Sequence, residues 1–168
     1  MSPKLRIGLG AFLVSLCLDL LSKYLVEAHL HYGEKKEVIE GFFYLTRVRN
    51  PGAAFGLFAT AHPELRLVFF IGISVVAIGI IISFFLRLAP GDRLSALALG
   101  FILGGALGNL VDRIRYGEVV DFLHFRLWQG YSWPDFNLAD SFIVVGVALL
   151  LLELLTTEGE RSASSTPS

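Results

Sequence analysis

Four stretches of this chain are each long and apolar enough to cross a bilayer, and that leaves few folds open. A helix rises about 1.5 Å per residue, so about 20 apolar residues span the hydrocarbon core. Ile7–Val26, Leu65–Leu86, Leu94–Val111 and Leu138–Leu155 meet that length. In lipid the backbone must satisfy its own hydrogen bonds, which helices do. Of the 168 residues, 54% are hydrophobic and 17% charged, where a soluble domain carries about a quarter charged. So much apolar surface exceeds what a small core buries, and lipid is the expected solvent. The net charge of -1, with no long basic run, argues against a nucleic-acid partner. A single cysteine, Cys17, excludes an internal disulfide and a cysteine-based metal site.

Lys4 and Arg6 before the first apolar run resemble the start of a signal peptide. A lipoprotein cleavage site would want a small residue before its cysteine, and Leu16 stands before Cys17. The apolar run also continues to Val26, so it reads as a retained anchor. Ala89-Pro90-Gly91-Asp92 predicts a tight hairpin between the second and third spans, with Asp92 as a cap for the third. Residues 1–156 form one expected membrane domain. Residues 157–168, rich in Ser, Thr and Glu, form an expected disordered tail.

The other two connections are long, and each holds a strand-like stretch. Phe42–Arg49 is aromatic and β-branched, and Val119–Phe125 is similar. Both loops join helix ends on the same side, so the expected fold is α-helical, with four spans and a small β-structure on one face. Basic residues occur on both sides, largely in long loops, so charge alone leaves the orientation undecided.

The polar residues are not spread evenly. Asp19 and Lys23 lie near the end of the first span, and Asn109, Asp112 and Arg113 near the end of the third. Asn137 and Asp140 open the fourth, while Asn50 and Asp121 belong to the long loops. Alternating spans bring all five segments to one rim. Most have a plain reading. Asp19 and Lys23, four apart, share a helix face and can simply pair. Gly100, Gly104 and Gly108, with Ala96, make a small-residue stripe for close helix packing. Asn109 and Arg113 flank that stripe. Asn137 and Asp140 fit a helix cap, and Asn50-Pro51-Gly52 a turn. Asp121, between Val120 and Phe122, has no obvious local partner.

Two carboxylates at a half-buried rim suggest acid–base work. Close aspartates resist double ionisation, so one takes a proton from water while the other hydrogen-bonds a carbonyl. Asp121 and Asp140 are the candidates. Cys17 has no adjacent histidine, no GxSxG or HExxH pattern occurs, and no metal or cofactor is expected. His29, His31, His62 and His124 are scattered along loops and read as surface or interfacial groups. Glu153 reads as a solvated boundary residue. A proton-coupled transporter or a membrane adaptor remains an alternative, although the carboxylates do not cross the membrane and no transporter-type repeat is evident.

Five blocks together resemble the bacterial lipoprotein signal peptidases. They read Asp19-Leu20-Leu21-Ser22-Lys23, Asn50-Pro51-Gly52-Ala53-Ala54-Phe55, Gly104 to Arg113, Val119-Val120-Asp121-Phe122 and Phe136-Asn137-Leu138-Ala139-Asp140. The resemblance implies an aspartic endopeptidase that cuts prolipoproteins just before a diacylglyceryl-modified cysteine. It implies Asp121 and Asp140 as the catalytic dyad. Asp19, Lys23, Asn50, Gly52, Asn109, Asp112, Arg113 and Asn137 would support the dyad or bind substrate. It further implies an inner-membrane location with cytoplasmic termini, an extracytoplasmic site, and lipid and lipidated precursors as partners; a monomer is the expected working unit.

Overall fold

A computed structural model describes residues 1–52 and 62–164. Ala53, Ala54 and Phe55 of the second block lie outside them. The chain forms helices α1 (Pro3–His29), α2 (Pro63–Arg87), α3 (Arg93–Tyr116) and α4 (Leu138–Ser164). Strands β1 (Lys35–Ile39) and β2 (Phe43–Asn50) precede α2, and β3 (Val119–Phe125) precedes α4. All four helices are long and apolar enough to cross a membrane. They overrun the apolar stretches because flanking polar residues still complete helical turns. In α3 this places Asp112 and Arg113 inside the helix. It stops at Gly117, whose φ of 76° is left-handed and whose N–H bonds the Arg113 carbonyl. The membrane-spanning part of α4 ends at Thr156, although the helix itself continues to Ser164.

Helix α3 is the central post and packs against each of the other three. Among the described residues, helix α2 packs chiefly on α3 and buries none of its own, while near its end Phe85 lies against Gly8 of α1 and the Leu86 carbonyl accepts from Lys4. Small residues let α1 approach α3 so closely. A Cβ on Gly100 would sit 2.5 Å from the Gly8 carbonyl oxygen, and one on Gly104 would sit 2.8 Å from that of Phe12. Both obstacles are backbone, so the helices would have to part. Gly100→Val is expected to cost about 1–3 kcal/mol, read as a lower midpoint of thermal unfolding in detergent. An equivalent change at Gly72 on α2, where a Cβ meets nothing within 4 Å, should leave the midpoint close to that of the parent.

The α2–α3 hairpin forms as expected, with one difference. Asp92 occupies the cap position, but its side chain accepts no bond from α3. Instead Asp92 Oδ2 accepts the Ala89 N–H at 2.9 Å and closes the turn itself.

Both long loops contribute to one antiparallel sheet in the order β1-β2-β3. Val26 and Leu30 at the end of α1 pack with Phe122 beneath it, joined by Leu45, Leu123 and Leu138. Residue Phe136 then pairs with β3: its carbonyl accepts N–H bonds from Phe122 at 3.0 Å and Leu123 at 2.8 Å. That pairing sets the first turn of α4 beside Asp121. The edge strand β1 is wholly exposed and was not legible from its sequence, Lys35-Lys36-Glu37-Val38-Ile39. Without a buried face it shows no alternation, and only its pairing with β2 makes it a strand.

Candidate active site

Strand β3 delivers Asp121, which is 2% exposed. Asn50, at the end of β2, donates to Asp121 Oδ2 at 2.9 Å. Asn137, just before α4, donates to Asp121 Oδ1 at 2.7 Å. The partners absent from its local sequence therefore arrive from two distant segments. Burial pushes the Asp121 carboxyl up to about 7, and the nearby Asp140 charge adds to the rise. The Asn50 and Asn137 donors pull the other way, since they favour the charged form.

Asp140 is half-buried and sits in the first turn of α4. The expected cap is present and reciprocal. Asn137 Oδ1 accepts the Asp140 N–H at 3.0 Å, and Asp140 Oδ2 accepts the Asn137 N–H at 3.4 Å. Asn109 of α3 donates to Asp140 Oδ1 at 2.8 Å. Asn109 Oδ1 accepts from Asn137 at 3.2 Å. Two asparagines thus link the two carboxylates: the Asn109 side-chain amide donates to Asp140, that of Asn137 donates to Asp121, and the two asparagines bond each other.

Beneath them lies an ionic cluster. The Lys23 ammonium is 3.0 Å from Asn109 Oδ1, 2.8 Å from Asp19 Oδ2 and 2.9 Å from Asp112 Oδ2. One hydrogen bond and two ion pairs thus compensate an ammonium buried to 3% exposure. Asp19 and Lys23 do pair, as four-residue spacing suggests, but the pair is one edge of a larger network. Gly108 makes room for it, because a Cβ there would collide with Asp19 Oδ2.

Arg113 bonds back to the Asn109 carbonyl at 3.4 Å and lies over the Phe70 ring at 5.4 Å. Asp140, Asp121 and Asp112 are all within its electrostatic reach. Asn50 Oδ1 accepts the Gly52 N–H at 2.9 Å, giving the expected turn. Gly52 takes φ 87°, and a Cβ there would lie 2.7 Å from Phe70 Cδ2. The structure therefore brings Asp19, Lys23, Asn50, Asn109, Asp112, Asp121, Asn137 and Asp140 into one hydrogen-bonded network. Gly52 adjoins it through Asn50, and Arg113 borders it.

Two readings made from sequence need amendment, and one feature was missed. Glu153 is not simply solvated, since it accepts a hydrogen bond from Ser95 of α3. His124 is largely buried and pairs with Asp135, whose Oδ2 also accepts from Thr46 at 3.4 Å. The backbone amides of Val120 and Ala139 belong to the network as well, bonded to Asp112 and Asp19. Their position just before Asp121 and Asp140 was the only hint in the sequence.

Comparisons with known proteins bear on the chain as a whole. The family model described as signal peptidase (SPase) II matches residues 11–156. A lipoprotein signal peptidase of Geobacter sulfurreducens is 45% identical over 162 residues, 96% of this chain and 99% of that one. One from Moorella thermoacetica is 46% identical over 149 residues, 89% and 93% of the two chains. A bacterial membrane enzyme solved by the in meso method at 1.9 Å superposes with a TM-score of 0.76 at 32% identity, covering 90% of this chain and 92% of the other. A second, at 2.3 Å, gives 0.77 at 30% identity, covering 98% and 92%. Four membrane-length helices, an antiparallel sheet on their rim and a match along most of the chain lead to one assignment: this multi-pass membrane protein belongs to the signal peptidase II family of peptidases.

Proposed function

We propose that Asp121 and Asp140 form an aspartic dyad that hydrolyses the peptide bond before a diacylglyceryl-modified cysteine in prolipoproteins. The observation that carries this reading is the pair of asparagines, Asn109 and Asn137, tying the two carboxylates into one network at the rim. Lipoprotein signal peptidases among the relatives support the substrate class. Residues 1–156 are the working domain and 157–168 a cytoplasmic tail. The termini lie in the cytoplasm, and the rim faces outward.

The chemistry follows from the two environments. Asp121, deeply buried and raised to about 7, keeps its proton below neutral pH, and in that form it hydrogen-bonds the scissile carbonyl oxygen. Asp140, half-buried and more accessible, removes a proton from water as the water oxygen attacks the carbonyl carbon. Asp121 passes its proton to the carbonyl oxygen, which gives a tetrahedral diol, and on collapse one diol hydroxyl returns a proton to Asp121. The carbon–nitrogen bond breaks, and the proton taken by Asp140 goes to the leaving amine. The products are a signal peptide with a free carboxyl end and a lipoprotein with a free cysteine amino group. The two acyl chains hold the substrate in the bilayer plane, each buried methylene contributing about 0.8 kcal/mol. The protein acts as a monomer, and its sheet rests on the headgroups above the substrate.

A pH–rate profile of the purified enzyme in lipid tests the assignment. kcat/KM is expected to fall as pH rises through about 7, where Asp121 loses its proton. Asn50→Ala removes a donor that favours the ionised form, so its alkaline limb should move to higher pH. An alkaline limb that stays in place in the variant would remove Asp121 from the role of proton holder.

A further inference from the structure

We propose that Asp19 and Asp112 are positioning residues, each fixing one member of the dyad by gripping the main chain immediately before it. The inference rests on the dyad reading above. Asp19 Oδ1, from α1, accepts the N–H of Ala139 at 2.9 Å, one residue before Asp140. Asp112 Oδ2, from α3, accepts the N–H of Val120 at 3.1 Å, one residue before Asp121. Lys23 bridges the two carboxylates at 2.8 and 2.9 Å. The start of α4 and strand β3, distant in the chain, are thereby referred to a single ammonium.

An ordinary buried ion pair would need no such aim. Each carboxylate also reaches an amide that water cannot serve, since Val120 and Ala139 are both 0% exposed. Removing either acceptor strands a buried N–H, and the segment must shift to satisfy it. Any shift passes directly to the neighbouring dyad side chain. Gly108 supports the arrangement, because only a residue without Cβ lets Asp19 lie against α3 at that level. Asp19 and Asp112 touch neither substrate nor water in this scheme, and their effect runs through backbone geometry.

Asp112→Ala and Asp112→Asn, assayed as full-length enzyme in lipid on a lipidated precursor peptide, separate positioning from other roles. Alanine removes the acceptor, and kcat is expected to fall about 100-fold, the scale of a misplacement of about 1 Å. Asparagine keeps an acceptor oxygen while losing the charge, and should recover about tenfold of that loss. KM should stay within about threefold, and both limbs of the pH profile should stay in place. The proposal is overturned if asparagine is as damaging as alanine and the limbs move, which would mark a field effect of the charge. It is equally overturned if the loss lies in KM, or if it matches the loss of folded protein. Should the alanine variant fail to fold, asparagine alone decides, since wild-type kcat there with Asp19→Asn also unchanged is the contrary result. Asp121→Asn and Asp140→Asn run in parallel. If these cleave normally the dyad reading fails, whereas if they are inactive and Asp112→Ala is normal only the positioning inference fails.

Discussion

Replacing Asp121 or Asp140 by asparagine is expected to lower kcat on a lipidated precursor by about 10³-fold or more, because each variant deletes one half of the proposed general acid–base pair. Asparagine is nearly isosteric, so the backbone should hold. It is not silent in the network, however. Asp121 accepts side-chain donors on both oxygens, from Asn50 and Asn137. An amide nitrogen introduced there must face one of those donors, at a cost of about 1–3 kcal/mol. In Asp140→Asn the introduced amide leaves either the Asn109 donor or the Asn137 N–H without its acceptor. Both variants should therefore melt lower than the parent while still binding the precursor. Cleavage by mass spectrometry and binding by co-purification separate the two effects. Parent-like cleavage by either variant would end the dyad reading.

Lys23→Met is expected to be the most destabilising single change in the cluster, at about 3–5 kcal/mol. Methionine follows the lysine side chain as far as Cε but leaves Asp19 and Asp112 facing each other without a cation, and both are at most 2% exposed. A buried carboxylate deprived of its partner keeps its desolvation cost and loses the attraction that offset it. Discharging the whole cluster should be far milder. The triple variant Asp19→Asn, Lys23→Met, Asp112→Asn removes every charge while preserving shape, and is expected to regain most of the loss. Thermal unfolding in detergent checks both. A single variant as stable as the parent would show that the ammonium contributes no net stability.

The membrane helices were legible because lipid imposes a length and a polarity on any segment that crosses it. Strands β2 and β3 were legible from their aromatic and β-branched residues, while β1 carries no burial pattern to read. The convergence of polar groups on one rim followed from alternating helix directions alone. Their wiring did not. The bond from Ala139 to Asp19 spans 120 residues and that from Asn50 to Asp121 spans 71, and no local pattern encodes such pairings. The same limit explains Ser95 with Glu153 and His124 with Asp135. Asp92 shows the converse, where a good cap sequence spends its carboxylate on the turn instead.

Helix α2 leans mainly on α3 and, among the described residues, buries none of its own. If the substrate is the proposed membrane-borne helix with acyl chains, so exposed a helix changes what concentration means. The precursor arrives by diffusion in two dimensions, and lipid molecules compete with it for the same flank. Occupancy is then governed by the ratio of precursor to lipid in the leaflet and not by the amount per volume of solution. Enlarging the membrane at fixed enzyme and precursor dilutes the reaction, just as adding solvent would for a soluble protease.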